Sequence, residues 1–112
     1  MNSRIFALSI VAGLCISLAA AQGNKSKAKG NAEKGKVVFE QCSVCHNADS
    51  EDKKMGPGLK GLFKKAKLAN GKKPTDAAVR AIIDAGGNGM PAYKEMLTED
   101  EKDDLIAYLR TL

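Results

Sequence analysis

Two thiols three positions apart, with an imidazole directly after the second, restrict this chain more sharply than its length does. The five residues are Cys42-Ser43-Val44-Cys45-His46. A structural zinc site needs four ligands, usually Cys and His. Beyond residue 21 the chain has only these two cysteines, and His46 is its single histidine, so no second ligand pair exists. A thioredoxin-like dithiol belongs with a βαβ pattern, and the sequence shows no strand alternation of useful length. A disulfide across so small a loop would stabilise little and would ignore the adjacent histidine. C-x-x-C-H instead reads as the covalent attachment site of one haem c. Each thiol adds across one vinyl group of the porphyrin, and two intervening residues let both sulfurs reach neighbouring pyrroles. His46 is then placed under the iron as an axial ligand.

A haem would also answer a deficit elsewhere. Beyond residue 21 the only aromatics are Phe39, Phe63, Tyr93 and Tyr108, with no Trp. So thin a core struggles to offset the entropy of ordering the chain. A porphyrin that buries several hundred Å² of apolar surface adds on the order of 10 kcal/mol at about 25 cal/mol per Å². The haem-free chain is therefore expected to be largely unfolded.

The chain has 112 residues, room for one domain. Arg4 precedes an uncharged apolar run over residues 5–18, followed by Ala19-Ala20-Ala21. That order reads as a secretory signal peptide over residues 1–21, too short for a span of roughly 20 apolar residues. Cys15 lies in the run, and its neighbour Leu14 does not suit a lipoprotein signal. Residues 22–30 read as a flexible basic linker, and residues 31–112 as the folded domain. Without residues 1–21 the net charge falls from +5 to +4, because Arg4 is the only charge removed.

Three helices are expected in the domain. The first covers residues 32–41, with Asn31 as N-cap. Gly35 lies on the face of Phe39, which suits a close helix–helix contact. Residues 53–73 are rich in Gly and Lys and read as loop, with a short helical turn near 62–67. Thr75 caps a second helix whose stripe is Ala78, Val79, Ile82 and Ile83, ended by Gly86-Gly87. A turn, residues 88–93, leads to the last helix, opened by the capping box Thr98-Glu99-Asp100-Glu101. Leu105, Ile106, Leu109 and Leu112 recur there at helical spacing. The fold class is all-α.

With one histidine, the sixth iron ligand cannot be a second imidazole from this chain. Met55, Met90, Met96, a lysine or no protein ligand remain. Met90 is favoured, because Gly86-Gly87-Asn88-Gly89 before it and Pro91 after it make a tight turn that can present a thioether. His/Met ligation is a known haem arrangement. Met96, beside the last helix, suits core packing, and Met55 suits packing or solvent.

Four segments together resemble class I c-type cytochromes, the small bacterial and c6-like monohaem types. They are Gly35-Lys36-Val37-Val38-Phe39 ahead of Cys42, Gly56-Pro57-Gly58-Leu59, Gly89-Met90-Pro91-Ala92-Tyr93, and Asp104-Leu105-Ile106-Ala107-Tyr108-Leu109. The resemblance covers about residues 31–112. It implies a cytochrome c fold, three to four helices wrapped around one covalent haem. It further implies that Gly35 and Phe39 cross the last helix near Leu105 and Tyr108. The Pro57 carbonyl would accept a hydrogen bond from the His46 ring, and Leu59 would pack on the porphyrin. The chain has no Trp to donate to a haem propionate, and residues 60–74 match nothing in the pattern, so the propionate partners are unassigned.

The function expected is one-electron transfer between a donor and an acceptor protein by a monomeric carrier, exported to a bacterial periplasm, with no membrane anchor and no nucleic-acid role. It is not expected to be an enzyme. The alternative is a haem peroxidase or gas-binding haem protein with a labile sixth ligand, but no second histidine is present for distal acid–base work. Residues 53–73 hold eight lysines and no acid, whereas residues 95–104 are mainly acidic. Such polarity could steer the chain toward an acidic partner surface.

Overall fold

The computed structural model describes residues 30–112. The expected signal peptide and nearly all of the expected linker lie outside the described residues. The helices are α1 (Ala32–Phe39), α2 (Asp76–Ala85) and α3 (Glu99–Leu109), with a short 3-10 helix at Leu62–Lys64 between α1 and α2. Among the described residues no helix is long and apolar enough to cross a membrane.

Each helix begins where a short polar side chain satisfies the first free amides. Asn31 accepts from the Lys34 amide at 3.0 Å, and Thr75 from the Ala78 amide at 3.1 Å. At α3 the capping box closes in both directions. The Glu101 amide donates to Thr98 Oγ1 at 3.2 Å, and the Thr98 amide donates to Glu101 Oε2 at 2.8 Å. α1 ends at Phe39 rather than at residue 41, because the Cys42 and Ser43 amides both turn onto the Phe39 carbonyl, at 2.8 and 3.0 Å.

α1 crosses α3 at Gly35. A Cβ there would lie 1.9 Å from the Asp104 carbonyl oxygen and 2.8 Å from Tyr108 Cβ, so no larger residue fits. One turn on, the Phe39 and Tyr108 rings pack with centroids 5.2 Å apart. The buried core joins Phe39 to Val79 and Ile83 of α2 and to Leu105, Ile106 and Leu109 of α3. Leu62 and Leu68 belong to it too, so the Gly/Lys-rich segment is pinned to the core by two leucines while most of its lysines face solvent.

The expected acidic face at 95–104 is largely used internally. Glu99 and Asp103 pair with Arg80 of α2. Asp104 accepts from the Asn31 amide at 2.6 Å. Lys102, only 2% exposed, pairs with Asp84 at 2.9 Å and with Glu99 at 3.0 Å. The acids of α3 thus hold α1 and α2 against it. Met96 is 62% exposed, contrary to the expectation of core packing, because its neighbours Tyr93 and Leu97 take the inward positions.

Candidate functional site

The thiol–imidazole motif follows closely on α1, whose last carbonyl, that of Phe39, accepts from the Cys42 and Ser43 amides. The Cys42 carbonyl accepts from the amides of Cys45 and His46, at 3.1 and 2.9 Å. This curls the five residues into tight turns. Both cysteines are free thiols and half-buried. Burial, and then the neighbouring Cys45, pushes the Cys42 thiol up to about 11. Cys42 borders the buried core, so its sulfur sits in an apolar setting of the kind a porphyrin edge also requires.

The segment after the motif folds back over the imidazole. The Gly56 amide donates to the Cys45 carbonyl at 2.8 Å, and the Leu59 amide donates to the Asn47 carbonyl at 2.8 Å. Gly56 lies against the ring itself. A Cβ there would be 2.5 Å from His46 Cε1 and 2.9 Å from both ring nitrogens. His46 Nδ1 is 2.8 Å from the Pro57 carbonyl oxygen. A carbonyl only accepts, so Nδ1 carries the proton and the Nε2 lone pair is left for another partner. Leu59, half-buried, packs against the core.

Met90 sits on a two-residue hairpin. Gly87 and Met90 exchange both backbone hydrogen bonds, at 2.9 and 3.0 Å, and form an isolated antiparallel bridge. The turn residues Asn88 and Gly89 have φ of 51° and 89°. Positive φ at both central positions is the type I′ geometry that Asn-Gly adopts readily. Gly86 could not carry a side chain, since a Cβ would lie 2.4 Å from the Met90 carbonyl oxygen. The three methionines separate clearly. Met55 is 78% exposed, with its sulfur 3.8 Å from Cys45 Sγ, and Met96 is exposed, whereas Met90 is half-buried and packs on the core.

Cys42, Leu59 and Met90 therefore come from three separate loops to the same core. Tyr93 was not singled out as a site residue. It is buried, and its hydroxyl is pushed up first by burial and then by Cys42 and Cys45, which places it within electrostatic reach of both thiols. Its place three residues after Met90 was the available signal. Among the described residues no group of three or more His, Cys, Asp or Glu could hold a metal ion, which leaves a zinc reading without ligands. The concavity lined by Asp49, Glu51, Lys60 and Lys64 contains no thiol, imidazole or thioether. A second concavity reaches His46 past Phe39 and Tyr108, but not the cysteines or Met90. The donor set, two thiols, an imidazole with Nε2 free and a half-buried thioether, together with the glycine that clears the imidazole, fits a haem.

Comparison with known proteins agrees. The family model for cytochrome c matches residues 32–112. A cytochrome c6 of Leptolyngbya boryana is 33% identical over 75 residues, which is 67% of this chain and 84% of that protein. A cytochrome c-550 of Bacillus subtilis (strain 168) is 31% identical over 103 residues, 88% of this chain and 77% of that protein.

Proposed function

Because this chain belongs to the cytochrome c family, with one covalently bound haem c and the work of an electron carrier, we propose that Cys42 and Cys45 form the two thioethers and that His46 and Met90 are the axial ligands of an exported carrier. The haem supplies a reversible one-electron couple between Fe(II) and Fe(III). The chain's residues hold and tune it.

The hydrogen bond from His46 Nδ1 to the Pro57 carbonyl carries the reading. It leaves Nε2 as the free donor atom, holds the ring plane, and raises the basicity of the imidazole. Gly56 allows that approach. The Met90 thioether, a soft neutral donor, favours Fe(II) and so raises the potential relative to two imidazoles. Leu59 and Cys42 keep the surroundings apolar, which disfavours the extra charge of Fe(III). With His46 and Met90 both holding the iron, no ligand position would be left for a substrate, which suits a carrier rather than an enzyme.

The red absorption band of iron–thioether ligation in the oxidised protein tests this. It should be present in the wild type and absent in Met90→Ala. High-spin iron that binds carbon monoxide or cyanide rapidly in the wild type would favour the peroxidase or gas-binding alternative.

Export to a bacterial periplasm rests on residues 1–21. The mass of the purified protein should correspond to cleavage after Ala21, and an intact N-terminus would overturn that. Redox partners follow from the carrier's work. Lys53, Lys60, Lys64, Lys67, Lys72 and Lys73 are exposed and provide a docking surface for an acidic partner, which a monomer would present freely. Electron-transfer rate with such a partner should fall as salt rises, and a flat response would remove the steering claim.

A further inference from the structure

We propose that Lys102 is a positioning residue for Met90, holding both ends of the segment that bears the thioether. The proposal rests on the reading of Met90 as an axial ligand. Lys102 lies on the buried stripe of α3 with Leu105, Ile106 and Leu109, and is the one buried charged side chain among the described residues. Its ammonium donates hydrogen bonds to the Lys94 carbonyl at 2.9 Å and to Glu99 Oε1 at 3.0 Å, and forms an ion pair with Asp84 Oδ1 at 2.9 Å. Asp84 stands near the end of α2, ahead of the Met90 hairpin, and Lys94 stands just behind it. One ammonium on α3 therefore grips the segment on both sides of Met90.

The segment needs such a grip. Between Asp84 and Lys94 it contains Gly86, Gly87 and Gly89, whose backbones are the freest to disorder. Its backbone ties are the Gly86 amide to the Ile82 carbonyl at 2.8 Å, the Gly87–Met90 bridge, and the Tyr93 amide to the Ile83 carbonyl at 2.9 Å. None of these hydrogen bonds reaches α3, which the segment otherwise meets only through the packing of Met90 and Tyr93 on the core. Removing the ammonium leaves the Asp84 carboxylate and the Lys94 carbonyl without their shared cation. A buried carboxylate oxygen that has lost its cation favours opening, and opening here would carry Met90 away from the iron it is proposed to hold.

Arg80 provides a matched control. It also joins α2 to α3, through Glu99 and Asp103, but these partners lie on α3 and not in the Met90 segment. Loss of general helix packing and loss of Met90 positioning are thus separable.

The experiment compares oxidised holoprotein of the wild type with Lys102→Met, Asp84→Asn, Arg80→Met and Met90→Ala. It measures the rate of imidazole binding to the iron, the red iron–thioether band, helical content and Tm. Lys102→Met should bind imidazole at least about tenfold faster, the factor expected from losing one charge-assisted hydrogen bond, with helical content retained. Asp84→Asn should move the same way by a smaller factor. Arg80→Met should lower Tm and keep the wild-type rate. Wild-type rates in both Lys102→Met and Asp84→Asn, or equal acceleration by Arg80→Met, would overturn the proposal. If Lys102→Met does not fold, Asp84→Asn against Arg80→Met decides in the same way. A Met90→Ala protein that keeps the band would overturn the ligand reading and this proposal together. Loss of the band in Met90→Ala beside wild-type behaviour in Lys102→Met would overturn this proposal alone.

Discussion

From Cys42 to Leu59 the chain is held chiefly by its own backbone, through amides that return to carbonyls within about one loop's length, whereas from Asp84 to Lys94 the backbone bonds reach only α2 and the hairpin itself, and a side chain of a different helix ties the segment to α3. The first segment closes on itself through Cys42, Cys45, Asn47 and the Pro57 carbonyl. The second is a glycine-rich hairpin whose two ends meet at the Lys102 ammonium. The proposed histidine side is thus built locally and would be made more rigid by the two proposed thioethers. The proposed methionine side depends on how α2 and α3 pack. A carrier built this way is expected to lose Met90 from the iron before it loses His46, because local opening follows the weakest tertiary attachments.

The largest effect should come from cutting the covalent links on the histidine side. In Cys42→Ala/Cys45→Ala prepared without haem, the loss is on the order of 10 kcal/mol of apolar burial, more than many domains have in total. The chain should show poorly dispersed amide NMR signals, and well-dispersed signals would show that the polypeptide core suffices.

Gly56→Ala tests the same side more gently. Its Cβ would overlap the imidazole, so chemical denaturation should show a loss of about 2 kcal/mol from overpacking. A shift in reduction potential should accompany it, since the His46–Pro57 contact must adjust. An unchanged potential would mean that the loop yields without moving the ring.

On the other side, Asn88→Ala places an ordinary side chain at a φ of 51° and should cost about 1 kcal/mol. Asn88→Gly should cost less, because glycine accepts that backbone. Equal losses in the two variants would argue against the type I′ turn.

The smallest effect is confined to alkaline pH. Asp84, followed by Glu99, raises the Lys102 pKa above its ordinary 10.5. A group raised on folding contributes stability that is fully present below its unfolded value and lost as pH rises through the folded value. The groups facing it are Asp84, Glu99 and the Lys94 carbonyl, with Arg80 and Asp103 next in the network. The Tm of the wild type should therefore fall toward that of Lys102→Met as the solution becomes strongly alkaline. A constant difference would show that the ammonium contributes nothing through its charge.

Much of this was legible in the chain because it depends on neighbours in sequence. The caps at Asn31, Thr75 and Thr98 and the glycine stop after α2 follow from hydrogen-bonding groups within a few positions. The two thiols and the imidazole announce their chemistry by spacing alone. Met96 was misjudged, and the partners of the α3 acids were not visible, because these surroundings come from other elements. Tyr93 and Leu97 take the inward places, and Arg80 and Lys102 pair with the acids of α3.

Cys42, Cys45 and His46 needed no fold to identify the cofactor, since attachment chemistry requires only those residue types at that spacing. The proposal of Met90 over Met55 and Met96 also came from sequence, from the rigidity of the glycine-rich turn and Pro91 around it. What tertiary structure alone decided is how each segment is held. The Pro57 carbonyl that the resemblance set against the His46 ring is held 2.8 Å from Nδ1 by the loop that folds back over the motif. Lys102 reads in sequence as one base among acids, and it becomes a buried clasp only when α2, α3 and the hairpin meet. Charge in a low-dielectric interior is defined by its partners, and those partners come from across the fold.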